Sequence, residues 1–145
     1  MEETKQFCTF YLDGHYFGIG VLEVQEVFRY QEMTKVPLAP GVINGLINLR
    51  GQIITAIDLR LRLGIQERPA DQKPMNVVVR TGENVVSLLV DEIGDVREVS
   101  EETYETAPDT ISENIRELIS GVYKLDNQLL LILDTQRVLE MEVTA

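Results

Sequence analysis

The sequence predicts a mainly β protein: two small, pseudo-symmetric barrels sharing one core, with a few short helices. Three observations predict it. Short apolar runs are broken by two-residue turn signals at close intervals. The second half of the chain repeats the pattern of the first. The composition, 44% apolar and 26% charged over 145 residues, is that of one globular domain with enough apolar mass for a core.

The elements follow in order. Phe7–Leu12 and Tyr16–Ile19 flank Asp13-Gly14 as a first hairpin, because Asp-Gly supplies the positive φ angles of a tight turn. The stretch Val21–Tyr30 spaces its apolar residues unevenly and fits either a short helical turn or a bulged strand. Val36-Pro37-Leu38-Ala39-Pro40-Gly41 is a proline-punctuated connector. Ile43–Leu49 and Gln52–Leu59 form a second hairpin at Arg50-Gly51, and Leu59–Leu63 begins a short helix. Glu67–Pro74, polar and containing Pro69 and Pro74, reads as an exposed loop. Beyond it, Met75–Arg80 and Val85–Val90 make a hairpin, and Glu92–Ser100 is an acidic strand. Ser112–Leu118 is helical with Ser112 as N-cap. Tyr123–Leu125 and Gln128–Leu133 pair around Asp126-Asn127, and Thr135–Met141 closes the chain as a helix.

The repeat survives an offset test. Shifting Ile43–Leu63 by 76 residues onto Ile119–Leu139 gives six identities without a gap: Ile43/Ile119, Gly45/Gly121, Leu49/Leu125, Gln52/Gln128, Asp58/Asp134 and Leu63/Leu139. Gly14 matches Gly82, and Val24-x-Glu26-Val27 matches Val96-x-Glu98-Val99. Each copy, at roughly 60–70 residues, is marginal alone and needs its twin. The expected division is a half at 6–68 and a half at 74–140, joined by the loop 67–74.

Catalytic and metal chemistry find little support. The lone histidine, His15, sits beside a turn, and the lone cysteine, Cys8, reads as an apolar filler in a strand. One His and one Cys supply neither a zinc site nor a thiol–imidazole dyad. No phosphate-binding glycine loop, GxSxG elbow or HExxH helix occurs. A net charge of −11 opposes nucleic-acid binding, which needs clustered Lys and Arg. That charge is concentrated in residues 73–145, which carry −9 against −2 for residues 1–72. Such asymmetry either steers a partner or serves solubility. No apolar run is long enough to span a bilayer, and the acidic start is not a signal peptide. With a single Cys, this fits a reducing cytoplasm.

The two halves differ at one turn. Asp126-Asn127 is ordinary turn chemistry, but its counterpart Arg50-Gly51 places an arginine at a hairpin tip beside Leu49 and Ile53. An arginine offered from a rigid tip suits recognition of a carboxylate or backbone oxygens. The alternative is an internal ion pair, with Glu26 or Asp58 as partner.

At Ile43-Asn44-Gly45-Leu46-Ile47-Asn48-Leu49-Arg50-Gly51, followed by Ile57-Asp58-Leu59-Arg60, the chain resembles the CheW family of bacterial chemotaxis coupling proteins. Val24-Gln25-Glu26-Val27 and Val90-Asp91-Glu92-Ile93-Gly94-Asp95-Val96 also match it, and the likeness covers roughly residues 6–140. The resemblance implies two five-stranded, SH3-like barrels around a common interior, and a non-enzymatic adaptor without a cofactor. It would link the cytoplasmic tips of methyl-accepting chemoreceptors to the regulatory domain of the histidine kinase CheA, in membrane-associated arrays, and be a monomer when isolated. By the same resemblance, Val24, Val27 and Val96 would give apolar contacts to a receptor's helical hairpin, and Glu26 and Arg50 would set polarity and register. Core packing is the alternative role for the three valines. The kinase would meet the barrel ends, at Ile53 and at Tyr104, Pro108 and Thr110. There Ala107-Pro108 fits the family, while Glu105 and Thr110 depart from it.

Other functions fit some of the same residues. A coupling protein of another chemosensory system, serving motility, development or second-messenger control, would carry the same motifs. A small hydrolase using His15 with Glu26 or Asp91 would need His15 in a cleft. A β-barrel nucleic-acid module is opposed by the charge.

Overall fold

The computed structural model describes residues 3–37 and 41–140. β1 (Thr4–Leu12) and β2 (His15–Gly20) turn at Asp13-Gly14, with φ of 48° and 82°. A single 3-10 turn at Val21–Glu23 leads into β3 (Val24–Phe28), whose pairing slips between Val24 and Glu26. The stretch 21–30 is therefore both of its alternatives in succession, a helical turn and then a bulged strand. In the connector that follows, Leu38, Ala39 and Pro40 lie outside the described residues.

β4 (Ile43–Leu49) and β5 (Gln52–Asp58) meet at Arg50-Gly51, and α1 (Leu59–Arg62) follows. Asp58 caps α1, its carboxylate accepting from the amides of Arg60 and Leu61, which otherwise have no partner in a first turn. The remaining elements are β6 (Met75–Thr81), β7 (Asn84–Val90), β8 (Glu92–Ser100), β9 (Tyr104–Glu105), α2 (Glu113–Arg116), β10 (Ile119–Lys124), β11 (Leu129–Leu133) and α3 (Thr135–Leu139). Ser112 holds the N-cap position of α2, but its side chain makes no capping bond, contrary to expectation. The final helix ends at Leu139, and Met141 lies outside the described residues.

The strands form two sheets, ordered β3-β6-β7-β5-β4 and β8-β1-β2-β11-β10-β9. The sheets cut across the expected division of the chain at 67–74. Each half lends its opening hairpin to the other's sheet: β2 runs parallel to β11 through Phe17 opposite Leu131, and β7 parallel to β5 through Thr55 opposite Val86. The boundary at 67–74 separates two sequence repeats but not two barrels. The exchange has a physical reason. A half of this size leaves strand edges unpaired and apolar faces uncovered, and inserting each hairpin into the opposite sheet satisfies both at once.

The repeat extends to backbone details. The register shifts between Ile43 and Gly45, and again between Ile119 and Gly121. The Asp58 amide donates to the Val42 carbonyl at 2.7 Å, and the Asp134 amide to the Leu118 carbonyl at 2.8 Å. Even the two-residue β9, which gives the sheet of β1 and β2 its sixth strand, has a counterpart. It pairs Glu105 with Val122, as a single bridge pairs Thr34 with Leu46.

One core serves both sheets. Phe10, Leu12, Phe17 and Ile19 pack in the same cluster as Ile57, Leu59, Val77, Val79, Leu88 and Val90. Burying such side chains contributes about 1.5–3 kcal/mol each, which is why neither half is a separate folding unit. Cys8 is half-buried, not a core filler. It lies on β1 opposite Ile19 on one side and Val96 on the other, and burial pushes its thiol pKa up. The 67–74 loop is irregular, as expected, but it is tied inward. The Arg68 guanidinium is buried, with Nε 3.0 Å from Asp91 Oδ1 and Nη1 3.8 Å from Asp58 Oδ2.

Candidate functional site

β3 is an edge strand, and its bulge sorts its side chains. Cross-strand partners share a face. Val24 lies opposite Val79 and Val27 opposite Val77, both core residues, whereas Glu26 lies opposite Val78. The inserted residue thus puts both valines on the core-ward face and Glu26 on the other. Val24 is half-buried against the shared core, and Val27, further along the edge, is exposed. Both valines share one face, closed over Val24 and left partly open to solvent at Val27.

Glu26 meets Arg50. The Arg50 guanidinium donates to Glu26 Oε1 from the β4–β5 turn. This contact joins the two ends of the five-stranded sheet, β3 and the β4–β5 tip. Of the two ion-pair partners considered for Arg50, Glu26 is the one found; Asp58 instead caps α1 and faces Arg68. The Arg50 side chain remains largely in solvent, at 73% exposure, so pairing leaves it available for a further acceptor. Its backbone is unusual, with φ of +50° at Arg50 and +86° at Gly51.

Val96 belongs to the other sheet. It sits on the edge strand β8 opposite Cys8 and is 58% exposed. Between β8, β1 and the 3-10 turn lies a groove of about 560 Å³, lined among others by Phe7, Val21, Leu22 and Glu98. Leu22 is almost wholly exposed, at 98%. A leucine so placed buries almost no surface, and it is an apolar candidate that the sequence pattern does not single out. The only signal was its position in the unevenly spaced stretch after Gly20.

The residues expected at the barrel ends occupy different sheets. Ile53, opposite Asn48 on β5, is 61% exposed. Tyr104 on β9 stacks edge-on against Tyr123 with ring centroids 5.2 Å apart, and its hydroxyl donates to the Ser120 carbonyl at 2.8 Å. Pro108 is half-buried, its carbonyl accepting from the Ile111 amide, and Thr110 is exposed.

The geometry removes the hydrolase reading. His15 is exposed at the start of β2 and touches Phe17 edge-on. Asp91 is buried and taken up by Arg60, Arg68 and the Asp13 amide, and Glu26 is paired with Arg50. Neither carboxylate is free to act with the histidine.

The CheW-like domain family matches residues 6–143. The chain belongs to that family. Among similar curated proteins, the chemotaxis protein CheW of Klebsiella aerogenes is 31% identical over 141 residues, covering 97% of this chain and 85% of that one. The chemotaxis protein CheW of Bacillus subtilis is 32% identical over 138 residues, covering 95% and 88%. Among solved structures, the scaffolding protein TtCheW of Thermoanaerobacter tengcongensis superimposes with a TM-score of 0.85 at 30% identity, covering 97% of this chain and 95% of that one. The CheW family is one of non-enzymatic scaffolds acting between chemoreceptors and CheA in chemotaxis. Within the described residues, no helix is long and apolar enough to cross a membrane.

Proposed function

We propose that this CheW-family adaptor binds the cytoplasmic tips of methyl-accepting chemoreceptors through Val24, Glu26, Val27, Arg50 and Val96, and the regulatory domain of CheA through Ile53, Tyr104, Pro108 and Thr110. It would thereby be recruited from the cytoplasm to membrane-associated arrays. The observation that carries the receptor reading is the exposed Arg50, braced by Glu26, on a barrel whose neighbouring edge strand displays Val27. Aliphatic side chains left open on edge strands suit the apolar face of a helix, with a charged residue setting its register. For the kinase, Ile53 and Tyr104 are large apolar groups left in solvent, as an interface with a similarly folded domain requires.

Calorimetric titration of the full chain tests this, first with the CheA regulatory domain and then with a receptor signalling-tip fragment from the same organism. Saturable one-to-one binding to each is expected. Arg50→Ala and Val96→Asp should weaken only the receptor arm, by about tenfold each, the scale of a central interface contact. Ile53→Asp should weaken only the kinase arm. Absence of binding between folded partners would overturn the proposal, and reversed selectivity of the variants would overturn the residue assignments.

A further inference from the structure

We propose that Asn48 is a positioning residue: it holds the hairpin tip in the left-handed conformation from which Arg50 reaches Glu26 and the receptor. The inference rests on the receptor reading above. The chain contains two tight turns of the same backbone form, Asp13-Gly14 with φ of 48° and 82°, and Arg50-Gly51 with φ of 50° and 86°. In the first, the left-handed position is filled by Asp, whose short polar side chain tolerates it. In the second it is filled by Arg, which has no such local stabilisation. The help comes from outside the turn. Asn48, two residues before Arg50 on β4, accepts the Gly51 amide hydrogen on its Oδ1 at 3.0 Å.

That bond does three things. The paired residues flanking the turn are Leu49 and Gln52, so the Gly51 N–H is not needed by the ladder and would otherwise be left to water. Fixing it locks both central residues of the turn together. It also fixes the root of the Arg50 side chain, whose far end is held only by an exposed ion pair with Glu26. An exposed pair of long side chains loses much of its Coulomb gain to side-chain entropy, so a fixed root decides whether the guanidinium is preorganised for a partner. At the equivalent tip of the repeat, Lys124 replaces Asn48 and Asp126-Asn127 replaces Arg50-Gly51. There the turn residues are self-sufficient, and the donor-only lysine cannot accept such a bond.

The test uses the full chain, a receptor signalling-tip fragment, and the variants Asn48→Ala, Asn48→Asp, Arg50→Ala and the Asn48→Ala/Arg50→Ala double. Asn48→Ala should weaken binding about fivefold, the worth of one hydrogen bond. Asn48→Asp, which keeps the acceptor, should restore affinity to within about twofold. In the Arg50→Ala background, Asn48→Ala should cost nothing more, since a residue acting through Arg50 has nothing left to position. Backbone NMR gives a second readout: in Asn48→Ala the Arg50 Cα and Gly51 amide shifts should leave their left-handed-turn values while the rest of β4 and β5 is unchanged. Additive losses in the cycle, or an unaltered Arg50 shift, would overturn the inference. If Arg50→Ala itself leaves binding intact, the receptor reading falls, and the NMR shifts still decide whether Asn48 positions the turn.

Discussion

Arg60, on the first turn of α1, and Asp91, at the joint between β7 and β8, form a two-pronged pair inside the molecule, with Nε 2.9 Å from Oδ1 and Nη2 2.5 Å from Oδ2. Both side chains are buried, and Arg68 and the Asp13 amide fill the remaining positions around the carboxylate. The cluster fastens three stretches of chain that lie far apart in sequence: the first turn of the molecule, the segment from α1 into the 67–74 loop, and the β7–β8 joint.

Asp91→Ala should therefore be among the costliest single changes in the chain. It leaves the buried Arg60 without its carboxylate and Arg68 with only that of Asp58, at 3.8 Å, and removing one partner of a buried pair costs about 3–5 kcal/mol. Urea unfolding followed by circular dichroism measures it. The same carboxylate sets an acid limit. Burial opposes its charged form, but the Arg60 hydrogen bond, the Asp13 amide and the charges of Arg60 and Arg68 outweigh that and hold its pKa below the ordinary value. A lowered native pKa means the unfolded chain takes up the proton first. This contribution is therefore complete above about pH 4 and is lost as pH falls through the native value. Asp91→Asn should flatten that part of the stability profile; an unchanged acid slope would show that another carboxylate governs it.

Much of the fold was legible because it is written in local chemistry. Asp-Gly, Arg-Gly and Gly-Glu marked the turns, and the 76-residue offset matched the hairpins to one another and Asp58 to Asp134, which the structure shows to cap equivalent helices. Strand partners across the halves were not legible. The pattern of Phe10, Leu12, Phe17 and Ile19 says that a hairpin has a buried face, but not which sheet covers it, and the exchange of hairpins is decided by edges and area in three dimensions. At the site, Arg50 stood out because its turn chemistry is wrong for its position. Leu22 and Asn48 did not, since a leucine in a mixed stretch and an asparagine near a turn look ordinary until exposure and a hydrogen bond are seen.

Arg50 should trade stability for recognition. Holding an L-residue in the left-handed region costs about 1–2 kcal/mol, and its exposed pair with Glu26 returns at most about 1 kcal/mol. Arg50→Asn removes both effects and installs a residue that tolerates the conformation. The variant should melt at the same temperature as the parent or up to about 3 °C higher, while its affinity for the receptor fragment falls about tenfold. A clear drop in melting temperature would show that the ion pair is part of the scaffold.

Tyr123 should titrate late. Its phenol is buried, it donates to Glu101 Oε1 at 2.9 Å, and Tyr104 covers it edge-on. Burial first, and then the Glu101 hydrogen bond and charge, push its pKa up to about 12. Because the native value lies above the ordinary one near 10, the neutral phenol stabilises the fold fully below about pH 10, and that contribution is lost as pH rises through the native value. Ultraviolet titration should resolve one late phenol that disappears in Tyr123→Phe. In Glu101→Gln its pKa should fall only part of the way, because burial remains.

The paired glycines of the repeat should respond unequally to a single methyl group. Gly45 and Gly121 occupy equivalent bulges on β4 and β10, and each lets another segment cross closely. A Cβ at Gly45 would lie 2.8 Å from the Thr34 carbonyl oxygen, whose backbone is bridged to Leu46 by two hydrogen bonds. A Cβ at Gly121 would strike the Tyr104 hydroxyl and ring edge. Tyr104 is exposed and can swing away at the loss of one hydrogen bond and one ring contact, whereas the Thr34 backbone can move only by breaking its bridge. Gly45→Ala should thus cost about 1–3 kcal/mol as an overpacked site without relief, and Gly121→Ala about 1 kcal/mol. The second variant should also free the Tyr104 ring, visible as a change in its NMR shifts, and weaken kinase binding if Tyr104 is a contact. Equal costs at the two positions would mean that the crossing near Thr34 yields as easily as a side chain does.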